Sequence, residues 1–131
     1  MIKCEILILN CSKITKYPTI DLTNAQACYA VFMNSAVTDL PIIVQEKTDC
    51  STMLNRTYSL VNLTISGTIG TAMSLKDSSL LSAESVQSVI DALKDLTGTT
   101  TLKLTLHADV VARMTDEQKA TITAKNWTLV Y

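Results

Sequence analysis

The chain has 131 residues, the size of a single domain able to bury a core of its own. A net charge of −1 and only 5% aromatic residues exclude the basic field and the base-stacking platforms on which nucleic-acid binders depend. The 47% apolar and 18% charged content is that of a soluble globular protein, while 3 Gly and 2 Pro beside abundant Thr, Ser, Leu and Ile favour short strands joined by side-chain-supported turns.

At the N-terminus, Met1-Ile2-Lys3-Cys4-Glu5 leads into the apolar run Ile6–Leu9. Four apolar residues fall short of the roughly 7–15 that a signal peptide needs, so the segment reads as a first strand and export by its own signal is not expected. No apolar run approaches the roughly 20 residues of a membrane-spanning helix. No polar cap precedes the strand. Ile6 and Ile8 are therefore expected to meet a second copy of the chain or an upstream domain, which makes a homo-oligomer or a longer protein the expected context.

The four cysteines, Cys4, Cys11, Cys28 and Cys50, form no C-x-x-C pair, and the lone His107 is far from them in sequence. A zinc site is not expected, and buried thiols acting as small apolar residues are the favoured reading over a disulfide framework.

An internal period governs the first half. Ile14, Val37 and Leu60 recur every 23 residues, as do Tyr17, Leu40 and Leu63, and then Pro18, Pro41 and Thr64. That interval lies within the roughly 20–29 residues of a leucine-rich repeat, in which a strand and a turn bury an apolar ridge against their neighbours. Cys11, Cys28 and Cys50 suit the turns of such repeats. Gly67-Thr68-Ile69-Gly70 belongs to a turn or bulge, since it lacks the Lys and helix start of a phosphate loop.

From residue 72 the pattern becomes strand and helix. Ala72–Lys76 reads as a strand. Ser82 is an N-cap, and Val86, Val89, Ile90, Leu93 and Leu96 mark the buried side of a helix over 83–96 that stops at Gly98. Leu102, Leu104 and Leu106 alternate with polar residues in the next strand. A short turn at Val110 and Val111 follows. Thr115 and Gln118 then form a capping box that opens a helix running to about Lys125, with Asn126 as its left-handed stop. Trp127–Tyr131 closes the chain as a strand. Taken together, the expected fold is α/β: a leucine-rich-repeat-like solenoid over 1–131 with a parallel sheet on one face, irregular repeats over 1–71, and two helices in the C-terminal strand–helix repeats of 72–131.

Leu81–Gly98, the Leu104-Thr105-Leu106 strand, Thr115–Lys119 and Lys125–Thr128 resemble the C-terminal end of BspA-type leucine-rich-repeat proteins. Cys11-Ser12-Lys13-Ile14-Thr15 resembles that family's turn. Phe32-Met33 stands where its members carry Met-Phe. Such ends occur in surface proteins of gut bacteria and in phage tail or baseplate proteins. The resemblance implies adhesion or recognition, at a virion or bacterial surface if the chain belongs to a longer protein, and it brings no catalytic residue.

The residues themselves show no catalytic motif, and no cofactor or metal is expected. His107, the only candidate base, lies in a Thr/Leu strand with no nucleophile elbow nearby. Asp91 and Asp95 read as a solvated helix face and Asp116 and Glu117 as a cap, so no pair of carboxylates converges. The N-x-[ST] triplets at Asn10, Asn55, Asn62 and Asn126 are what chance provides in a Ser/Thr-rich chain. The candidate binding surface is the outward side of the C-terminal strands: Ser74, Lys76, Thr101, Lys103, Thr105, His107 and Thr128, with Val130 beside them. It suits a protein or a glycan. The expected function is a non-catalytic recognition or structural module that binds through this strand face or a solenoid end, with a free-standing cytosolic inhibitor of a host enzyme as the other reading.

Overall fold

The computed structural model describes residues 3–5, 13–25 and 27–131. Its elements, in chain order, are β1 (Lys3–Glu5), β2 (Ile20–Asp21), β3 (Ala27–Tyr29), β4 (Asp39–Val44), β5 (Asn62–Gly67), β6 (Met73–Leu75), α1 (Ala83–Ala92), β7 (Leu102–Leu106), α2 (Ala108–Arg113), α3 (Asp116–Ala124) and β8 (Trp127–Val130). Every strand pair is parallel. Strict alternation builds the longest of them: in β4, Leu40, Ile42 and Val44 point into the core while Asp39, Pro41 and Ile43 point away. Leu63 and Ile65 continue the inner rows on β5. Phe32, Met53, Leu54, Leu60, Ile69, Met73, Leu75, Ile90 and Leu104 fill one continuous core with them.

The expected solenoid is not what forms. Among the described residues the strands fall into three separate sheets, ordered β1-β3, β2-β4-β5 and β6-β7-β8, and no single sheet joins them. The fold is a small α/β arrangement, with three helices among the described residues. Two local features interrupt a continuous ladder. Beyond β3, pairing shrinks to the isolated bridge Ala27↔Asp49, because Asp49 turns the chain by accepting from the Ser51 amide and hydroxyl. Beyond β5, a helix stands where another strand would pair.

That helix is α1. Ser85 Oγ accepts from Leu63 N (2.8 Å) and donates to Val61 O (2.7 Å), and Ser88 Oγ accepts from Ile65 N (2.9 Å). Two small hydroxyl side chains one turn apart thus satisfy the backbone edge that a neighbouring strand would otherwise take.

The 23-residue interval reappears as pairing register: Leu40 lies opposite Leu63 and Pro41 opposite Thr64. The bridge Lys16↔Asp39 extends the same offset. Val37 and Leu60 are buried, but Ile14 is 50% exposed and does not share their packing. Cys28 lies within a strand rather than at a turn, and Cys4 pairs with it through the backbone. Cys11, Ile6 and Ile8 lie outside the described residues, as does the strand expected over 6–9.

Helix boundaries follow their caps. Ser82 caps α1, and Thr115 and Gln118 close both halves of the capping box on α3. Asn126 takes the left-handed conformation at φ 63°. Two expectations need correction. Helix α1 ends at Ala92 rather than at 96, because Leu93 is pulled into an extended bridge with Ile69 and Asp95 turns the chain with Thr97. The Val110–Val111 segment is no mere turn but the middle of α2.

The shortened α1 leaves C-terminal carbonyls that Lys125 satisfies from more than 30 residues away. Its ammonium donates to Ile90 O (2.8 Å), Leu93 O (3.0 Å) and Asp91 O (3.4 Å), placing a positive charge at the negative end of the helix. Lys125→Met keeps the stem and removes all three donors, and should cost about 2 kcal/mol in urea unfolding. An unchanged midpoint would show that water replaces the ammonium without loss.

Cys50 is sealed in the core, where its thiol donates to Thr48 O at 3.4 Å. Burial pushes its pKa up to about 12; a hydrogen bond with Thr71 opposes the rise and the nearby Asp49 charge adds to it. Iodoacetamide at pH 8 should therefore leave Cys50 unmodified in the folded protein and alkylate it in denaturant, as read by peptide mass mapping. Modification of the native state within minutes would mean that this core opens readily.

Candidate functional site

Pairing in the β6-β7-β8 sheet places the expected surface residues on one side. Ser74, Thr105 and Val130 form one cross-strand row, and Lys103 and Thr128 the next. Thr101 Oγ1 and Thr128 Oγ1 lie 3.2 Å apart. Lys76 and His107 each follow the last pair, Leu75 and Leu106, by one residue. Met73, Leu75, Leu104, Leu106 and Trp127 point the other way, into the core. The result is a hydroxyl-lined face carrying two ammonium groups and no carboxylate in its rows.

His107 ends this face in a role that its strand-like surroundings concealed. It is the N-cap of α2, with Nδ1 accepting from Asp109 N at 3.1 Å. The Asp109 carboxylate lies 3.6 Å from the same nitrogen. An imidazole whose Nδ1 accepts a backbone N–H carries its proton on Nε2 when neutral. The ring is thereby engaged in starting a helix, and the Asp109 carboxylate beside it faces a nitrogen that accepts the Asp109 amide rather than one that donates to the carboxylate, as the orienting acid of a triad requires.

The acidic residues are likewise occupied locally. Asp91 accepts from Gln87 on α1 (2.8 Å), and Asp116 and Glu117 occupy the first turn of α3. Asp95 is not on the helix face but in a turn, where one carboxylate oxygen accepts from both the amide (2.9 Å) and the hydroxyl (2.6 Å) of Thr97. Asp21-Leu22-Thr23 and Asp49-Cys50-Ser51 repeat this geometry, each burying its middle residue. The D-x-[ST] spacing is the sequence signal of these three turns. Hydroxyl and amide bonds from Thr23 and Thr97 hold Asp21 and Asp95 below the usual carboxylate range, and Thr38 and Asn62 do so for Asp39.

The sign of the pH dependence follows. A depressed folded pKa adds stability above the unfolded value of 3.8, and that stability is lost as pH falls through the lower folded values. The urea midpoint should thus be flat through neutral pH and drop below about pH 4. A midpoint that rises on acidification would contradict these turns.

Two of the N-x-[ST] asparagines spend the atom that a glycan would use. Asn62 Nδ2 donates to Asp39 (2.7 Å), and Asn126 Nδ2 donates to Leu96 O and Thr99 O. Among the described residues no cluster of three or more His, Cys, Asp or Glu could hold a metal ion, and no helix is long and apolar enough to cross a membrane.

A second feature was not foreseen. Where the chain enters α1, and where α2 gives way to α3, a cleft of about 440 Å³ opens. Leu81, Val86, Val110 and Met114 make it apolar, and Ser79, Leu80, Ser82, Ala83, Arg113 and Gln118 complete the lining. Leu80 is 55% exposed here. Arg113 Nη2 donates to Ser79 O (3.0 Å) and Leu81 O (3.1 Å), which pins the guanidinium to one wall. Gln118 separates this cleft from a polar hollow lined by Gln87, Thr115, Glu117 and Thr121, and donates to Gln87 across it (3.2 Å). Overlooking α2 hid the cleft, because Val110, Arg113 and Met114 converge on it only from a helix and its cap.

No family model, curated protein or solved structure matches this chain.

Proposed function

We propose that the protein is a non-catalytic recognition module that docks the outward face of its β6-β7-β8 sheet on a protein partner. The observation that carries this reading is the assembly of Ser74, Lys76, Thr101, Lys103, Thr105 and Thr128 on one side of a three-stranded sheet with a buried reverse side. Parallel strands hold these groups in fixed rows, so a partner meets pre-ordered hydroxyls and little side-chain entropy is lost on contact. Lys76 and Lys103, with no carboxylate between them, favour an acidic partner surface. A glycan is less well matched, since the rows present no aromatic ring on which a sugar could stack. The capping role of His107 and the locally bonded carboxylates support a non-catalytic role. The phage-tail or bacterial-surface setting rested on the family resemblance, and the fold departs from that family's solenoid, so the proposal stands on the sheet face alone.

Quantitative affinity capture with three baits tests it: the wild type, Lys76→Glu/Lys103→Glu, and a control with Thr64→Lys on the outward side of β5. A partner held by the wild type and the control, released by salt and lost with the double variant supports the reading. A partner that survives the double variant overturns it. Glycan-array binding with the same mutational pattern would put a sugar in the protein's place.

A further inference from the structure

We infer that the cleft beside Arg113 receives the C-terminal end of a peptide, with an aliphatic side chain inside and the terminal carboxylate on the guanidinium. This does not rest on the sheet-face reading, because the two surfaces share no residue.

Charge selects the occupant. Arg113 lines the cleft together with Leu81, Val86, Val110 and Met114, and among the described residues no carboxylate lies within 4.0 Å of its guanidinium. Its bonds to Ser79 O and Leu81 O engage only Nη2. Nη1 and Nε keep their donors, held in place by a side chain that cannot swing away without breaking both bonds. A fixed cation beside an apolar hollow is complementary to an anion attached to an apolar group, and a guanidinium–carboxylate pair forms charge-assisted hydrogen bonds.

Size and shape narrow the class. At about 440 Å³ the cleft lies within the roughly 300–1,000 Å³ range of ligand sites, and it is open to solvent rather than enclosed. One or two aliphatic side chains fill such a space while the chain behind them passes out over the rim. A fatty acid would need a closed tunnel for its tail. The exposed Leu80 at the rim adds apolar surface for the penultimate residue.

The test is a titration of the isotope-labelled protein, followed by amide chemical shifts, with three probes: acetyl-Gly-Leu-Leu as the free acid, the same peptide as its C-terminal amide, and decanoate. Shifts confined to 79–86 and 110–118 are expected, with the free acid binding about tenfold more tightly than the amide, the loss of one charge-assisted bond. Arg113→Gln should weaken the acid by about the same factor and abolish the difference between acid and amide, as one coupled pair requires. Leu80→Ser, at the exposed rim, should weaken both peptides equally and preserve their ratio. It gives a readout even if Arg113→Gln disturbs the 79–81 wall. Equal binding of acid and amide, shifts centred on the β6-β7-β8 face, or decanoate outcompeting the peptide would each overturn the inference. So would an absence of shifts up to the solubility limit of the peptide.

Discussion

Gly67→Ala should destabilise the protein by about 2–5 kcal/mol although it adds only a methyl group. Two costs coincide at that position. The backbone is at φ +93°, and a Cβ built there would lie 1.9 Å from Val44 O, the carbonyl of the strand paired with it. The left-handed conformation costs an ordinary residue about 1–2 kcal/mol, and forcing apart a packed backbone adds about 1–3. The other two glycines separate these contributions. Gly98 has φ +78° with nothing within 4 Å of an added Cβ, so Gly98→Ala measures handedness alone. Gly70 lacks the positive φ, but its Cβ would lie 2.4 Å from Glu46 O, so Gly70→Ala measures the steric part. Urea unfolding of all three should rank Gly67→Ala as the largest loss. If Gly98→Ala proved equally costly, the close approach of the 44–46 and 67–70 backbones would not be the governing constraint.

The second large effect is expected from Ser85→Ala/Ser88→Ala, which should cost about 2–5 kcal/mol although it removes only two oxygen atoms and leaves a better helix former at each site. Alanine raises helix propensity, so a helix stabilised by its own backbone alone would gain from the change. The loss comes from the other partner. Leu63 N and Ile65 N lie on a buried strand edge, and their acceptors are the two hydroxyls. An unpaired buried N–H costs roughly 1–3 kcal/mol. Hydrogen exchange gives a residue-level check: the amides of Leu63 and Ile65 should lose protection in the double variant while those of β7 keep theirs. A stable double variant with both amides still protected would mean that water or a shifted helix supplies the missing acceptors.

What could be read from the sequence depended on how local the signal was. Ser82, Thr115 with Gln118, and Asn126 declare themselves within four residues, and each caps or stops a helix as expected. The alternation in 102–106 likewise specifies a strand and its outward residues without knowledge of the partner. The end of α1 was misplaced because Leu93 and Leu96 do fall at helical spacing. Pairing of Leu93 with Ile69, 24 positions upstream, overrides that spacing, and no nearby residue announces it. Helix α2 was missed because a histidine N-cap is an unfamiliar start and six residues are too few to show a period.

The fold class failed for a related reason. A 23-residue interval fixes the offset between strands, and that offset is present between β4 and β5. It does not say how far the ladder continues. Whether the next segment adds a strand or lays a serine-bearing helix along the edge depends on three-dimensional pairing. The sheet-face residues could be chosen from alternation alone, whereas the Arg113 cleft needed three elements to be placed together.

Lys125, Asn126 and Trp127 each send a side chain back to the stretch between Ile90 and Thr99, and Leu96 N donates to Lys125 O in return. Three successive residues thus rivet the last turn of one helix and the loop after it to the start of the closing strand. Neither region can breathe alone. Fluctuations that in most small domains fray a terminal strand must here break these bonds as well, so the start of β8 and the 90–99 stretch are expected to open together.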